Sequence, residues 1–265
     1  ETKLMTDGFL SRPPLRKVIG KIETDPKVVD AALEKAGATK LAALFVAHSH
    51  YDHAFDCAYV TRKTGAILYG SASTLNVGRG GDVPEERMVR FDYDKEYAFG
   101  KFTVKVLRAR HSPAIRFLND DLGQTIDRPL KQPASFKDYK EGGAYDFLIR
   151  HGPNAILVNA GGSYIEGSRD NVRADAVFVT TAMLGLQRPA FQTAFYDETI
   201  GKVRPKLVVP IHWDNFMTPL SDQLKPQFDP ADAWDPMIRR LRADRIRFGV
   251  LQGYGRATLF VRGKE

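Results

Sequence analysis

The stretch "HSHYDH" places His48, His50, Asp52 and His53 within six residues of a chain that has only six histidines. Imidazole nitrogens and a carboxylate are the donors that zinc and other transition metals favour. Histidines two apart on extended backbone project to the same side, so His48 and His50 can share one metal. Asp52 and His53 follow after the chain has turned, and they suit a neighbouring second metal. Four ligands in six residues strain around a single ion, so two adjacent ions are the more natural arrangement. Helix caps and core packing do not call for such a cluster, which weighs against a purely structural role.

Each ion then needs donors from elsewhere. His111, in "RARHSP", and His212, in "VVPIHWD", each stand at the end of an expected strand, where rigid scaffold meets functional loop. His151 lies beside a Gly-Pro turn and reads as a surface residue. Cys57, the only cysteine, reads as part of a helix core and is not counted as a ligand. With one cysteine no intrachain disulfide can form, so cysteine usage leaves the compartment undecided.

The elements that must position these residues can be read from punctuation and periodicity. Ala43 to Val46 is a buried strand that delivers the histidine cluster. Asp25-Pro26 opens a helix that runs to about Ala36 and stops at Gly37. A helix spans Phe55 to Lys63 and closes at Gly65. "AILYGS" is the next strand, and a short helix begins at Ala72. "MVRF", "KEYAF" and "KFTVKVLRA" read as a run of strands. "AYDFLIRHGPNAILVNAGG" is a hairpin turning at Gly152-Pro153-Asn154, and "AVFVTT" is a strand. Phe191 to Lys202 is helical, "KLVVPIHW" is a strand, and Asp229-Pro230 caps a helix to about Arg242. The last residues return as two strands. Ser112 to Gly143, rich in proline and charge, reads as a long loop of the kind that serves as a functional lid or is a disordered insert. Strands, helices and strands again, twice over and with no linker between, predict sheet on sheet with helices outside.

With these elements in place, "HSHYDH", downstream His111 and "VPIHWDNF" with His212 resemble the metallo-β-lactamase fold superfamily of metallohydrolases. The resemblance covers nearly all of residues 1–265 as one domain. It implies an α/β fold, a four-layer αβ/βα sandwich with a dinuclear metal site at one edge of the sheets. It implies His48, His50 and His111 on one metal, and Asp52, His53 and His212 on the other, the same grouping that the spacing gives. The family usually has an upstream strand pair. "KLMTDGFLSRPP" resembles the segment after its first strand, and the chain starts with Glu1, so the first strand or strands are expected to be missing. The family also carries a bridging aspartate at the end of the strand matching "AILVNAGG". Asn159 takes that place here, as a weaker, neutral donor. Asp175 is the alternative carboxylate, better suited to a structural role at a strand start. Two divalent ions with Asp52 and a hydroxide leave the centre at about +2 by simple charge counting.

Zinc is the metal expected, one or two per chain, with iron, manganese and nickel as alternatives. The chemistry implied is hydrolysis of an ester, lactone or phosphodiester by hydroxide generated at the metals, with Asp52 orienting it. No G-x-S-x-G turn offers a serine nucleophile. Trp213, Asp214 and Asn215 are expected to line the substrate pocket. An iron-dependent thiol oxidoreductase of the same fold, or a metal-binding protein weakened by Asn159, are the rival readings. The formal charge of +7 suits an anionic substrate or nucleic acid, and equally a plain solvated basic surface. The basic "RRLRADRIR" reads as a solvated helix face, and no segment specific to nucleic acid stands out. No apolar run approaches a membrane span. The chain is expected to be soluble, either cytoplasmic or exported after processing.

Overall fold

Two sets of apolar strands, each buried on both faces, cannot be covered by a single layer, and the chain answers with four. The computed structural model describes residues 2–114 and 121–260. In chain order the elements are β1 (Leu4–Thr6), α1 (Leu15–Val18), β2 (Lys21–Ile22), α2 (Pro26–Ala36), β3 (Ala43–Phe45), α3 (Tyr51–Ala54), α4 (Cys57–Thr64), β4 (Ile67–Gly70) and α5 (Ala72–Gly80). There follow β5 (Met88–Arg90), β6 (Glu96–Phe99), β7 (Phe102–Arg108), β8 (Ala134–Ser135), β9 (Tyr145–His151) and β10 (Asn154–Asn159). The chain continues with β11 (Ala176–Thr180), α6 (Pro189–Tyr196), β12 (Leu207–Ile211), α7 (Pro230–Ala243) and β13 (Arg247–Phe248).

The first sheet is parallel, in the order β1-β3-β4-β5. The second runs β13-β12-β11-β10-β9-β7-β6, antiparallel from β6 to β10 and parallel from β10 to β13. Alternation along each strand sorts its side chains between two cores. Phe45, Phe91, Val104, Val106, Phe147 and Val158 meet between the sheets. Leu44, Val46 and Leu68 pack outward under the helical layer of Val29, Leu33 and Val60. Leu148, Leu157, Val177 and Val208 pack outward under Phe195, Met237 and Leu241. Each large side chain fully buried in this way contributes roughly 1.5–3 kcal/mol. The result is the helix–sheet–sheet–helix sandwich expected from the sequence.

Local signals hold where they are strongest. The Asp25 carboxylate accepts from the Lys27 and Val28 amides, and Gly37 closes α2 in the left-handed conformation. The 9–10 hairpin turns where Gly-Pro predicted, with Gly152 at φ 58°. Four expectations are corrected. "MVR" leaves the run of neighbouring strands and joins the first sheet, parallel to β4. The helix from Phe191 begins earlier, at Pro189, and ends in a π-turn over Asp197–Gly201. Only β13 forms at the C-terminal end; residues 249–260 make no second strand, and 261–265 lie outside the described residues. Residues 115–120 of the long loop are likewise outside them, but 121–143 is no open flap. Tyr139 is buried, Asn76 donates to the Ile126 carbonyl at 2.6 Å, and the Leu130 amide donates to the Asn76 carbonyl. Among the described residues no helix is long and apolar enough to cross a membrane.

Candidate metal centre

The β3 strand carries its direction on through Val46 and Ala47, whose amides donate to the Tyr69 carbonyl at 3.0 Å and to Asp7 Oδ1 at 2.8 Å. His48 comes next and is 1% exposed. The chain then bends, because the amides of His53 and Ala54 both return to the His50 carbonyl. This single turn, α3, redirects the chain so that Asp52 and His53 gather with His212 while His48 and His50 gather with His111. His111 lies beyond the end of β7 and bridges to the backbone of Gly162. His212 follows β12 directly, in the left-handed region at φ 54°, a conformation that costs a non-glycine residue roughly 1–3 kcal/mol and that clusters at functional sites.

These placements make two donor triads. The ligand atoms of His48, His50 and His111 lie within 4.8 Å of one another, and so do those of Asp52, His53 and His212. His50 Nδ1 is 3.2 Å from His111 Nε2, and His212 Nε2 is 3.1 Å from Asp52 Oδ2. The His48 and His53 ring centroids are 3.8 Å apart, so the triads are neighbours. Both ring nitrogens of His48 are buried without a hydrogen-bond partner. An orphaned buried polar atom costs roughly 1–3 kcal/mol, and a metal ion held by this triad would satisfy one of the two. Five imidazoles and one carboxylate, with no thiolate, form a donor set that fits zinc.

No protein-family model matches the chain, and no curated protein matches it. Solved structures do. YhfI from Bacillus subtilis, described as a metallo-beta-lactamase fold protein, aligns over 88% of this chain and 83% of its own, at 13% identity and a TM-score of 0.54. Igni18, a metallo hydrolase from the hyperthermophilic archaeon Ignicoccus hospitalis, aligns over 81% of this chain and 77% of its own, at 14% identity and a TM-score of 0.52. Unliganded yeast PDE1 aligns over 81% and 67%, at 10% identity and a TM-score of 0.51. The chain has the metallo-β-lactamase fold.

Within this metallo-β-lactamase fold, outer hydrogen bonds decide which nitrogen each histidine offers. Asp7 Oδ2 accepts from His53 Nδ1 at 2.9 Å, leaving Nε2 for the centre. Asp121 accepts from His50 Nε2 at 3.0 and 3.2 Å, leaving Nδ1. The Ser112 carbonyl accepts from His111 Nδ1 at 3.0 Å, leaving Nε2. Asp7 and Asp121 were not read as functional in the sequence. They add two negative charges beside the histidines and offset the excess positive charge counted from the ligands alone.

The same surroundings set the proton affinities. Burial holds His48 well below the usual histidine range, and the neighbouring histidines push it further down. Burial likewise lowers His111 to about 4, with His50 adding to the effect. For His53, burial acts downward, but Asp7 and Asp52 outweigh it and raise the ring to about 8. Burial raises the Asp52 carboxyl, yet His53 and His212 prevail and hold it well below the usual carboxylate range.

Asn159 ends β10, where the resemblance placed it, and its amide nitrogen is already engaged. Alternation in β10 puts Ala155, Leu157 and Asn159 on the face toward the outer helices, while Val158 and Ala160 face the core between the sheets. Its Nδ2 donates to Asp146 Oδ2 at 2.9 Å and to the Ser163 carbonyl at 3.3 Å. Asp146 is fully buried, and it also accepts from Arg169 at 2.7 Å and from the Ala160 and Gly161 amides. Arg169 in turn donates to the Arg108 carbonyl. The Asn159 amide nitrogen thus belongs to a buried clamp that ties the end of β10 to the end of β7, while its Oδ1 is buried without a hydrogen-bond partner. Asp175 accepts from the Ala155 amide and from Lys206, at the opposite end of the strands, in the structural role expected of it.

Of the pocket residues, Trp213 packs edge-on against Trp234 at 5.5 Å and lines a small cavity with Leu186 and Phe228. Asp214 pairs with Arg12, and Asn215 Oδ1 accepts from the Met217 amide to shape a turn. Cys57 is buried in the core under the first sheet, and His151 is exposed beside the hairpin turn, its ring tilted against Phe102.

Proposed function

We propose that the chain is a metal-dependent hydrolase that uses two metal ions, zinc by donor chemistry, on an ester, lactone or phosphodiester. The observation that carries this reading is the pair of adjacent donor triads, one built of three histidines and the other of Asp52, His53 and His212. His48, His50 and His111 would hold one ion; Asp52, His53 and His212 would hold the other. Bound there, the metals supply a Lewis acid for the substrate oxygen and a water acidified toward neutrality. The protein supplies the rest. Asp52 stays ionised, so it offers a carboxylate oxygen to accept and orient a proton of the attacking water. Asp7 and Asp121 fix the tautomers of His53 and His50. Trp213 and Asp214 follow His212 in the chain, and Arg12 pairs with Asp214.

Elemental analysis of the purified chain, followed by hydrolysis assays on bis(p-nitrophenyl) phosphate, p-nitrophenyl acetate and a γ-lactone, tests the proposal. Close to two zinc ions per chain and turnover of at least one substrate, lost in Asp52→Ala, are expected. A chain that takes up no metal after reloading would sink it. Iron as the resident metal would move the assignment to the thiol oxidoreductase reading.

A further inference from the structure

The strongest feature outside the metal centre is a groove of about 940 Å³ at the other end of the second sheet. It lies where β12 and β13 begin, at the Leu207–Arg247 pair, whereas the metal centre lies beyond Ile211 at the far end of β12. Five residues of strand separate the two, roughly 16 Å. Six cations line the groove: Lys202, Arg204, Lys206, Arg240, Arg245 and Arg247. Three are paired. Lys202 meets Asp170 and Glu198, Lys206 meets Asp175, and Arg240 meets Asp197. Arg204, Arg245 and Arg247 have no ion pair among the described residues. Asp244, the other carboxylate of the lining, accepts from the Tyr196 hydroxyl at 2.6 Å.

Two of these three arginines occupy costly backbone. Arg204 (φ 56°) and Arg245 (φ 58°) are left-handed. Each ends a helical segment: the Arg204 amide donates to the Ile200 carbonyl after the π-turn, and the Ile246 amide donates to the Leu241 carbonyl after α7. Glycine is the usual residue at such a stop, because a side chain there is strained. A cation near a helix C-terminus gains a little from the helix dipole, but an arginine inside the last turn, such as Arg242, gains it without the strain. The dipole therefore does not explain why both stops are arginines facing one groove.

We propose that this groove is a second anion site, which takes the phosphate chain of a small polyphosphorylated ligand. Three guanidiniums free of carboxylate partners can each offer paired N–H donors to phosphate oxygens. The volume falls in the range of small-molecule sites. A single-stranded nucleic acid fits less well, since it needs aromatic faces for its bases. Tyr196 is the one aromatic side chain in the lining, and Arg240 already covers its ring at 4.0 Å.

Calorimetric titration of the full chain with inorganic tripolyphosphate tests this, with adenosine triphosphate and a single-stranded oligonucleotide as further arms. The key variant is Arg204→Gly with Arg245→Gly. It removes two guanidiniums at positions where glycine suits the backbone better, so the melting temperature is expected to hold or rise. Saturable tripolyphosphate binding, weakened about tenfold or more for each guanidinium removed, supports the site. Adenosine triphosphate binding equally well assigns recognition to the phosphates alone, and tighter binding assigns the natural ligand to the nucleotides. Binding that survives the double variant but is lost in His48→Ala belongs to the metal centre and overturns the proposal. So does no binding, or an oligonucleotide that outcompetes tripolyphosphate.

Discussion

Asn159→Asp separates the bridging role that the resemblance implies for this position from its place in the Asp146 clamp. If position 159 faced the metals, the added carboxylate would bridge them and tighten zinc binding. In the structure it would instead sit where Nδ2 now meets Asp146 Oδ2 at 2.9 Å. Two carboxylates at that distance repel by about 6 kcal/mol at an effective dielectric constant of 20. Arg169 already serves Asp146 and does not neutralise both. The chain's cheaper course is to keep one carboxyl protonated. Holding a group of ordinary pKa about 3.9 neutral at pH 7 costs about 4 kcal/mol, and its O–H returns about 1 kcal/mol by donating to the other carboxylate. The variant should therefore lose about 3 kcal/mol at pH 7, a large part of an ordinary domain's stability, and under about 1 kcal/mol at pH 5. Urea unfolding of the metal-free protein at both pH values reads this difference, and a competition titration reads zinc affinity. Unchanged stability at pH 7 together with tighter zinc binding would refute the placement of Asn159 in the Asp146 clamp.

Two further outcomes follow from the proton affinities. Because Asp7 and Asp52 raise His53 to about 8, the metal-free ring is protonated at pH 7 and a metal must displace that proton. Zinc affinity of the Asp52–His53–His212 triad should rise about tenfold per pH unit from 6 to 8 and then level off. Asp7→Asn should flatten that slope while weakening binding about 10–100-fold at pH 9; an unchanged slope, measured with a chromophoric zinc competitor, would exclude Asp7 as the cause. His111 is displaced from 6.5 down to about 4, so its contribution is fully present above pH 6.5. It is lost as the pH falls through that window, about 3 kcal/mol for the metal-free protein, and thermal melts from pH 7 to 4 should show this fall shrink in His111→Gln.

What was legible in the sequence is local. His48, His50, Asp52 and His53 are contiguous, so strand geometry and one helical turn were enough to divide them. His111 and His212 were readable because each ends an apolar strand. Asp7 was not, since its contact with His53 spans 46 residues and nothing in "MTDGF" announces a partner. Asp121 was hidden for the same reason, in a loop without periodicity. The Asp146 partner of Asn159 was not legible because both faces of β10 are apolar: Ala155 and Leu157 alternate with Ile156 and Val158. In strands buried on both sides, alternation does not say which face meets which core. "MVR" went astray likewise, for three apolar-rich residues do not choose between two sheets.

His212 has a consequence for how the molecule is held together. It meets Asp52 across 160 residues of chain, whereas His50 meets His111 across 61. An ion shared by Asp52, His53 and His212 would act as a topological cross-link, closing a loop that takes in most of the second sheet. Loop-closure entropy grows only with the logarithm of length, so a tie of this span removes about 5 kcal/mol of freedom from the unfolded chain by the same reckoning used for disulfides. With a single buried thiol the chain cannot obtain such a tie covalently from within itself. The metals of the proposed centre would then be fasteners as well as reagents, and chelation would loosen the fold at the same moment that it silenced the chemistry.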